Sequence, residues 1–138
     1  MPNMFDLRGK TAMVTGASRG LGAAMAEALM ESGVKAVLFA TSNKILTIAD
    51  EYTKKGYTCY GLVVDLSLEE ERKIAFEKGL NLLDNRLDIL VNCAGVQRRH
   101  KSEEFPLDDW NYVIEVNLTA VFRMCQMAGK VMLKQGKG

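Results

Sequence analysis

Three glycines within seven residues make the stretch 15–22 the part of this sequence best suited to bind a phosphate group. Gly16, Gly20 and Gly22 follow the short apolar run 12–14 and precede an apolar segment with helical periodicity. A strand, a glycine turn and a helix N-terminus together present unpaired backbone N–H groups and a partial positive charge, which favour a diphosphate. The spacing is G-x-x-x-G-x-G rather than the commoner G-x-G-x-x-G. A glycine-rich turn without a ligand is the alternative interpretation. The predicted phosphate-binding turn consists of Gly16, Ser18, Arg19, Gly20, Leu21 and Gly22.

A second set of candidate residues lies where the predicted parallel strands end. Ligands of such sheets bind beyond the carboxyl ends of the strands, so we expect these residues to form the rim of the crevice. Asp65 is suited either to accept a hydrogen bond from an adenine amine or to cap its own strand. Asn92 either contributes to the site or ties its strand to neighbouring backbone. The predicted rim consists of Thr41, Ser42, Asp65, Leu66, Asn92, Ala94 and Gly95.

The end of the second strand normally distinguishes two nicotinamide coenzymes. An acidic residue there bonds the ribose 2′-hydroxyl of NAD, and a basic residue pairs with the 2′-phosphate of NADP. This sequence has Thr41, Ser42 and Asn43 at that point, which are neither acidic nor basic. Arg19 and Lys44 are available to a phosphate. The sequence therefore leaves NAD and NADP both open.

The elements that position these residues alternate regularly along the chain. Continuous apolar runs predict strands at 10–15, 36–40, 58–64 and 87–92. Helical spacing and capping residues predict helices at 20–32, 44–55, after a capping box at 67–70 to about 83, from Pro106 at N1 to 116, and at 118–134. Strand–helix alternation predicts a doubly wound, Rossmann-like α/β fold with a parallel sheet in the order 3-2-1-4. We expect residues 1–138 to form one domain.

Composition excludes several function classes. Eighteen Lys and Arg balance seventeen Asp and Glu, so the chain has no field that attracts nucleic acid or an anionic membrane. No apolar run approaches the roughly 20 residues that span a bilayer, and residues 1–10 lack a secretory signal. One His and three widely spaced Cys do not form the ligand pattern of a metal site, and they are typical of a reduced, cytoplasmic protein. We expect neither a metal nor a nucleic-acid or membrane partner.

Taken together, these motifs resemble the short-chain dehydrogenase/reductase family. The resemblance rests on the glycine turn, Asp65, the sequence Asn92-x-Ala94-Gly95 and Asn117, and it extends from about Phe5 onward. Within the family, residues 97–100 followed by 104–106 look like the gluconate 5-dehydrogenase and 2-deoxygluconate dehydrogenase subgroup. The resemblance implies an NAD- or NADP-dependent oxidoreductase that acts on a small sugar acid and assembles as a homodimer or homotetramer.

The family mechanism implies a role for Asn117, and the position of Arg98 and Arg99 indicates a role for them. A Tyr exchanges the hydroxyl proton with help from a Lys, a Ser holds the substrate oxygen, and an Asn, matched by Asn117, orders a water; a kink-stabilising side chain is the alternative for Asn117. Arg98 and Arg99 follow the fourth strand, where a guanidinium can bind the carboxylate of a sugar acid through two N–H bonds. We expect one arginine to serve the substrate and the other to pair with Glu103, Glu104 or a partner subunit. Two solvated loop arginines are the alternative.

The sequence lacks the family's proton-transfer pair. None of Tyr52, Tyr57, Tyr60 and Tyr112 is followed by a Lys four residues later, and the family's Ser and Tyr-x-x-x-Lys would lie beyond residue 138. We therefore expect a C-terminally truncated domain without turnover of its own, which is either the coenzyme-binding half of a longer enzyme or the product of a truncated reading frame. A reductase of 3-oxoacyl thioesters and a catalytically silent nucleotide-binding or dimerisation module are the alternative functions.

Overall fold

The computed structural model describes residues 4–138. Its strands are β1 (Thr11–Thr15), β2 (Lys35–Ala40), β3 (Cys59–Val63) and β4 (Ile89–Val91). Its α-helices are α1 (Gly20–Glu31), α2 (Lys44–Lys54), α3 (Glu69–Leu82), α4 (Leu107–Ile114) and α5 (Ala120–Gln135). A 3-10 turn (Ser102–Glu104) precedes α4, and a π-helical turn (Glu115–Thr119) joins α4 to α5.

The four strands form one parallel sheet in the order β3-β2-β1-β4, which confirms the predicted topology. Every residue of β1 is buried, as the continuous apolar run predicts for a central strand covered on both faces. On one face, Met13 and Phe39 pack with residues of α3 and α5; on the other face, Val14 and Leu38 pack with residues of α1 and α2. The fold is thus the Rossmann-like, doubly wound arrangement, and it brings the carboxyl ends of all four strands to one edge.

Several predicted boundaries are corrected. β4 has three residues instead of six, and the two C-terminal helices are joined by the π-helical turn rather than separated at 117. The capping box at 67–70 is wrong: Leu68 occupies the N-cap position without a side-chain bond, and the Ser67 hydroxyl donates to Asp65 instead, 2.6 Å away. Pro106 lies at the N-cap of α4, one position before the predicted N1.

Two side chains define the start of β4. The buried carboxylate of Asp88 accepts hydrogen bonds from the Thr11 N–H at 2.9 Å and from the Arg86 guanidinium, which ties β4 to β1. At the other side of the strand, the amide of Gln135 at the end of α5 accepts from the Leu87 N–H at 2.9 Å and donates to the Leu87 carbonyl at 2.7 Å. Gln135 therefore bonds Leu87 as a residue of a neighbouring strand would.

Two surveys bear on the classes of function considered above. Across residues 4–138, helices are too short or too polar to cross a bilayer. Over the same residues, His, Cys, Asp and Glu side chains do not gather in groups of three or more that could hold a metal ion.

Candidate functional site

A cleft of about 480 Å³ lies at the carboxyl ends of the strands, above β1 and between the turns that follow β3 and β4. Eleven of the predicted site residues line it, which brings together segments as far apart in sequence as 16 and 95. These are Gly16, Ser18, Arg19, Gly20, Leu21, Gly22, Thr41, Asp65, Leu66, Ala94 and Gly95. The cleft is thus built from the two motifs that the sequence analysis singled out, the glycine turn and the strand ends.

The three glycines of the turn have different structural roles. Gly16 adopts a positive φ of 63°, and a Cβ there would lie 2.8 Å from the backbone of Ala94. A Cβ on Gly22 would collide with the carbonyl oxygen of Gly16, so this glycine allows α1 to start close to β1. Gly20, with φ of 59°, faces open space within 4 Å. The backbone at Gly20 is therefore approachable from the cleft, whereas Gly16 and Gly22 are fixed by close backbone packing.

The start of α1 presents unpaired donors to the cleft. Arg19 is its N-cap residue and makes no side-chain cap bond, so the first N–H groups of the helix lack a capping acceptor. The helix dipole adds a partial positive charge at the same point. This end of α1 is suited to a phosphate, and the open space beside Gly20 leaves room for one.

Thr15, the last residue of β1 and the first of the glycine stretch, supports the site from below. Its buried hydroxyl accepts hydrogen bonds from the N–H groups of Cys93 and Ala94, both at 3.1 Å. These bonds hold the turn after β4 against β1 and so set the floor of the cleft.

The polar side chains at the ends of β2 and β3 differ in how many of their hydrogen-bonding atoms already have a partner. Thr41 lines the cleft, but Ser42 does not: its hydroxyl accepts from the Lys44 N–H at 3.1 Å, at the start of α2. One oxygen of Asp65, Oδ1, accepts from both the N–H and the hydroxyl of Ser67. Asp65 thus holds the turn after β3 through Oδ1, while within the described residues Oδ2 has no hydrogen-bond partner and remains available to a ligand.

Neither predicted asparagine lines the cleft. Asn92 donates to the Cys125 sulfur at 3.2 Å, so it ties β4 to α5 rather than to neighbouring backbone. Asn117 lies within the π-helical turn, where its Oδ1 accepts from the Val96 N–H at 2.8 Å and its Nδ2 donates to the Val96 carbonyl at 2.9 Å. This pair of bonds anchors the loop after β4 to the π-helical turn.

Neither Arg98 nor Arg99 lines the cleft, and their environments differ. The Arg98 guanidinium lies 3.6 Å from Asp109 and stacks 4.7 Å from the centre of the Tyr112 ring, which itself lines the cleft. The expected pairing with Glu103 or Glu104 is therefore corrected to Asp109, which also contacts His100 at 2.7 Å. Among residues 4–138, Arg99 bonds only the Gln97 side chain, and so its guanidinium has no carboxylate partner.

The remaining lining residues are mostly apolar, and apart from Cys93, which lies within Asn92-x-Ala94-Gly95, they come from outside the motifs. Their positions follow from the sheet and from the π-helical turn, which no local pattern indicated. They are Phe39, Ala40, Val64, Cys93, Val96, Tyr112 and Val116.

Comparison with known proteins places this cleft in a family. A family model described as short chain dehydrogenase matches residues 10–138. The chain is 36% identical over 135 residues to a 2-dehydro-3-deoxy-D-gluconate 5-dehydrogenase of Bacillus subtilis (strain 168), covering 97% of this chain and 52% of that protein. It is 39% identical over 136 residues to a 3-oxoacyl-[acyl-carrier-protein] reductase of Aquifex aeolicus (strain VF5), covering 97% and 54%.

A solved structure agrees with these matches. The fold is similar, with a TM-score of 0.87 and 32% identity, to a crystal structure of a gluconate 5-dehydrogenase from Burkholderia cenocepacia J2315 in complex with NADP and tartrate. That match covers 97% of this chain and 52% of the other. The chain therefore spans about half the length of the relatives that it matches.

Proposed function

The chain belongs to the short-chain dehydrogenase family, and we propose that it is the coenzyme-binding half of an NAD- or NADP-dependent oxidoreductase acting on a sugar acid of the gluconate type. The observation that carries the proposal is the cleft itself. Approachable backbone at Gly20, unpaired N–H groups at the start of α1 and a free acceptor on Asp65 lie around one cavity.

The lining residues suit the parts of a dinucleotide. The glycine turn and α1 would hold the diphosphate. Asp65 Oδ2 would accept a bond from the adenine amine, with Leu66 beside the ring. Ala94 and Gly95 would lie against the nicotinamide riboside, where small residues leave the backbone accessible. Asn92 would support this wall from behind, through Cys125.

Two features of the cleft, at the end of β2 and at Arg19, favour NADP over NAD. The residues that line the end of β2, Ala40 and Thr41, include no carboxylate to bond a ribose 2′-hydroxyl. Arg19 also lines the cleft and makes no ion pair within residues 4–138, so its guanidinium is free to meet a 2′-phosphate. Ser42 would serve this region by fixing the start of α2 through its bond to Lys44.

The substrate side of the proposal rests on Arg99. When bound, the nicotinamide supplies or accepts the hydride. Arg99 would bind the substrate carboxylate in a bidentate manner, because Arg98 is already engaged by Asp109 and Tyr112. The Asn117 side chain is bonded to Val96, so its main-chain carbonyl would be the group that holds the relay water. This carbonyl lies in the π-helical turn, a type of turn that is frequent at functional sites.

A reductase of 3-oxoacyl thioesters is the second candidate function, and the 39% identity to the Aquifex aeolicus reductase favours it. A silent nucleotide-binding or dimerisation module is the third, favoured because none of the four Tyr residues has a Lys four positions later. In each case we propose a cytoplasmic protein that forms a homodimer or homotetramer when it carries the remaining half of the family's length.

A thermal melt tests the coenzyme proposal directly. A ligand present at 100 times its dissociation constant stabilises the folded chain by about 2.7 kcal/mol. We expect NADPH to raise the melting temperature of the 138-residue chain by several degrees, and NADH to do so less at equal concentration. Arg19→Gln should remove the difference between the two coenzymes. No stabilisation by either coenzyme would reject the proposal.

A second melt tests the substrate class. With NADPH saturating, D-gluconate should stabilise the chain further, whereas sorbitol, which lacks the carboxylate, should not. Arg99→Gln should abolish the effect of gluconate, and Arg123→Gln, on the far helix α5, should leave it unchanged. Stabilisation by an acetoacetyl thioester instead of gluconate would favour the second candidate function. We expect no ketone reduction by the chain alone.

A further inference from the structure

Arg72 on α3 is buried in a way that apolar packing does not explain. Its side chain is 3% exposed, yet it carries a full charge. Its Nη1 donates to the Leu66 carbonyl at 2.5 Å and to Glu115 Oε1 at 2.7 Å. Its Nε is buried without a hydrogen-bond partner among the described residues. Burying a charged group with an unsatisfied donor is unfavourable, so an apolar residue would cost less at this position.

The two acceptors of Arg72 belong to two separate segments, each of which contributes a residue to the cleft wall. Leu66 lines the cleft at the end of β3. Glu115 is the first residue of the π-helical turn, which also contains Val116 in the cleft wall and Asn117 bonded to Val96. A single nitrogen of Arg72 therefore connects the wall after β3 to the turn that holds the wall after β4.

The π-helical turn is the element that most needs such a connection. π-helical hydrogen bonding is rare and occurs mainly as single turns, so contacts outside the helix have to favour it. Here the external contacts are the ion pair of Arg72 with Glu115 at its start and the bonds of Asn117 with Val96 at its centre. The first of these is charge-assisted, and burial of its Arg72 partner strengthens it.

We propose that Arg72 is a positioning residue for the coenzyme cleft. This inference rests on the proposed function. The Arg72 guanidinium fixes the distance between Leu66 and the π-helical turn, and that distance sets the width of the cavity that receives the dinucleotide. Arg72 acts through Leu66, Val116 and Asn117, and it does not itself line the cleft.

Arg72→Met tests the proposal, because methionine fills most of the arginine's volume without the buried charge or the unsatisfied Nε. We expect the Kd of the 138-residue chain for NADPH, measured by fluorescence titration, to rise about tenfold, while the melting temperature changes little. Arg72→Lys keeps one donor and should recover part of the affinity. Arg123→Met removes a different ion pair of α3, the one between Glu69 and α5, and should leave Kd unchanged.

Glu115→Ala provides an independent test of the same interaction, because the half-exposed side chain of Glu115 can be removed with little risk to folding. We expect it to raise the Kd for NADPH, and the double variant Arg72→Met/Glu115→Ala to be no weaker than Arg72→Met alone, since both remove one interaction. A folded Arg72→Met with wild-type affinity would overturn the inference, as would an equal loss in Arg123→Met. If the Arg72→Met chain does not fold, unchanged affinity in Glu115→Ala overturns it. A wild-type chain that binds no coenzyme overturns both this inference and the proposed function.

Discussion

At the scale of single residues, comparing alanine substitutions of Gly20 and Gly9 distinguishes an effect on coenzyme binding from an effect on stability. Gly20 and Gly9 both have positive φ, 59° and 78°, and a Cβ on either would meet open space. Alanine at each should lower the free energy of unfolding by about 1 kcal/mol, the cost of a left-handed backbone. Only Gly20→Ala should also raise the Kd for NADPH, by at least about tenfold, because its Cβ would lie where a phosphate approaches the backbone. Urea unfolding and fluorescence titration measure the two effects. Equal Kd values for both variants would contradict a phosphate site at Gly20.

Asp88 makes stability depend on pH. Burial raises the pKa of this carboxyl, but the Thr11 N–H and the Arg86 guanidinium more than offset that effect, so the pKa lies below its ordinary value of 3.8. A depressed pKa contributes stability above the ordinary value, and that contribution disappears as pH falls through the folded-state value. We expect Asp88→Asn to be less stable than wild type by about 1 kcal/mol at pH 7, with the difference shrinking below pH 3.8. Asp84→Asn, which removes an exposed partner of Lys35, is the matched control and should show little difference at either pH.

At the scale of elements, the π-helical turn and the loop after β4 depend on each other through Asn117. Asn117→Ala removes both bonds to the Val96 backbone, so we expect faster hydrogen exchange at the Val96 amide and a severalfold rise in the Kd for NADPH. Asn111→Ala, an exposed position on α4, should change neither quantity. Unchanged exchange at Val96 in the Asn117 variant would show that other contacts hold this loop.

The elements that could be predicted from the sequence are those whose own residues determine them. β1 and β2 are continuous apolar runs buried on both faces, and the glycine turn follows from residue types that only a tight backbone requires. The π-helical turn could not be predicted, because it depends on Arg72, 43 residues before Glu115 in sequence. β4 was predicted too long for a similar reason. Leu87 is bonded by the side chain of Gln135, and the chain after Val91 turns to meet Thr15.

The site divides along the same line. Backbone positions such as Gly16 and Ala94 were predictable, because their small size is the requirement. The partners of polar side chains were not, since Asn92, Asn117 and Arg98 bond residues far away in sequence, namely Cys125, Val96 and Asp109. The spacing of motifs in the sequence shows which residues reach one edge of the sheet, but it does not show which of their side chains already have a partner within the protein.

At the scale of the whole molecule, α5 and the turn before it leave a broad apolar surface. Leu118, Phe122 and Leu133 are each more than half exposed and recur at helical spacing along this face. Such surfaces mark interfaces, so we expect the 138-residue chain to self-associate at micromolar concentrations in analytical ultracentrifugation. Phe122→Lys should shift it toward monomer. Ile74→Lys, which replaces a comparably exposed residue on α3, should not. A wild-type chain that sediments as a monomer would contradict this prediction.

The amide of Gln135 limits how the sheet can grow. The N–H of Asp88 donates to Thr11 in β1, and successive residues of a strand direct their backbone groups to opposite sides, so Leu87, Ile89 and Val91 direct theirs to the free edge of β4. Gln135 already occupies both groups of Leu87. Any strand that extends the sheet beside β4 must therefore begin pairing at Ile89. Because Gln135 is the last residue of α5, the length of this helix determines which residue of β4 is the first one free to pair.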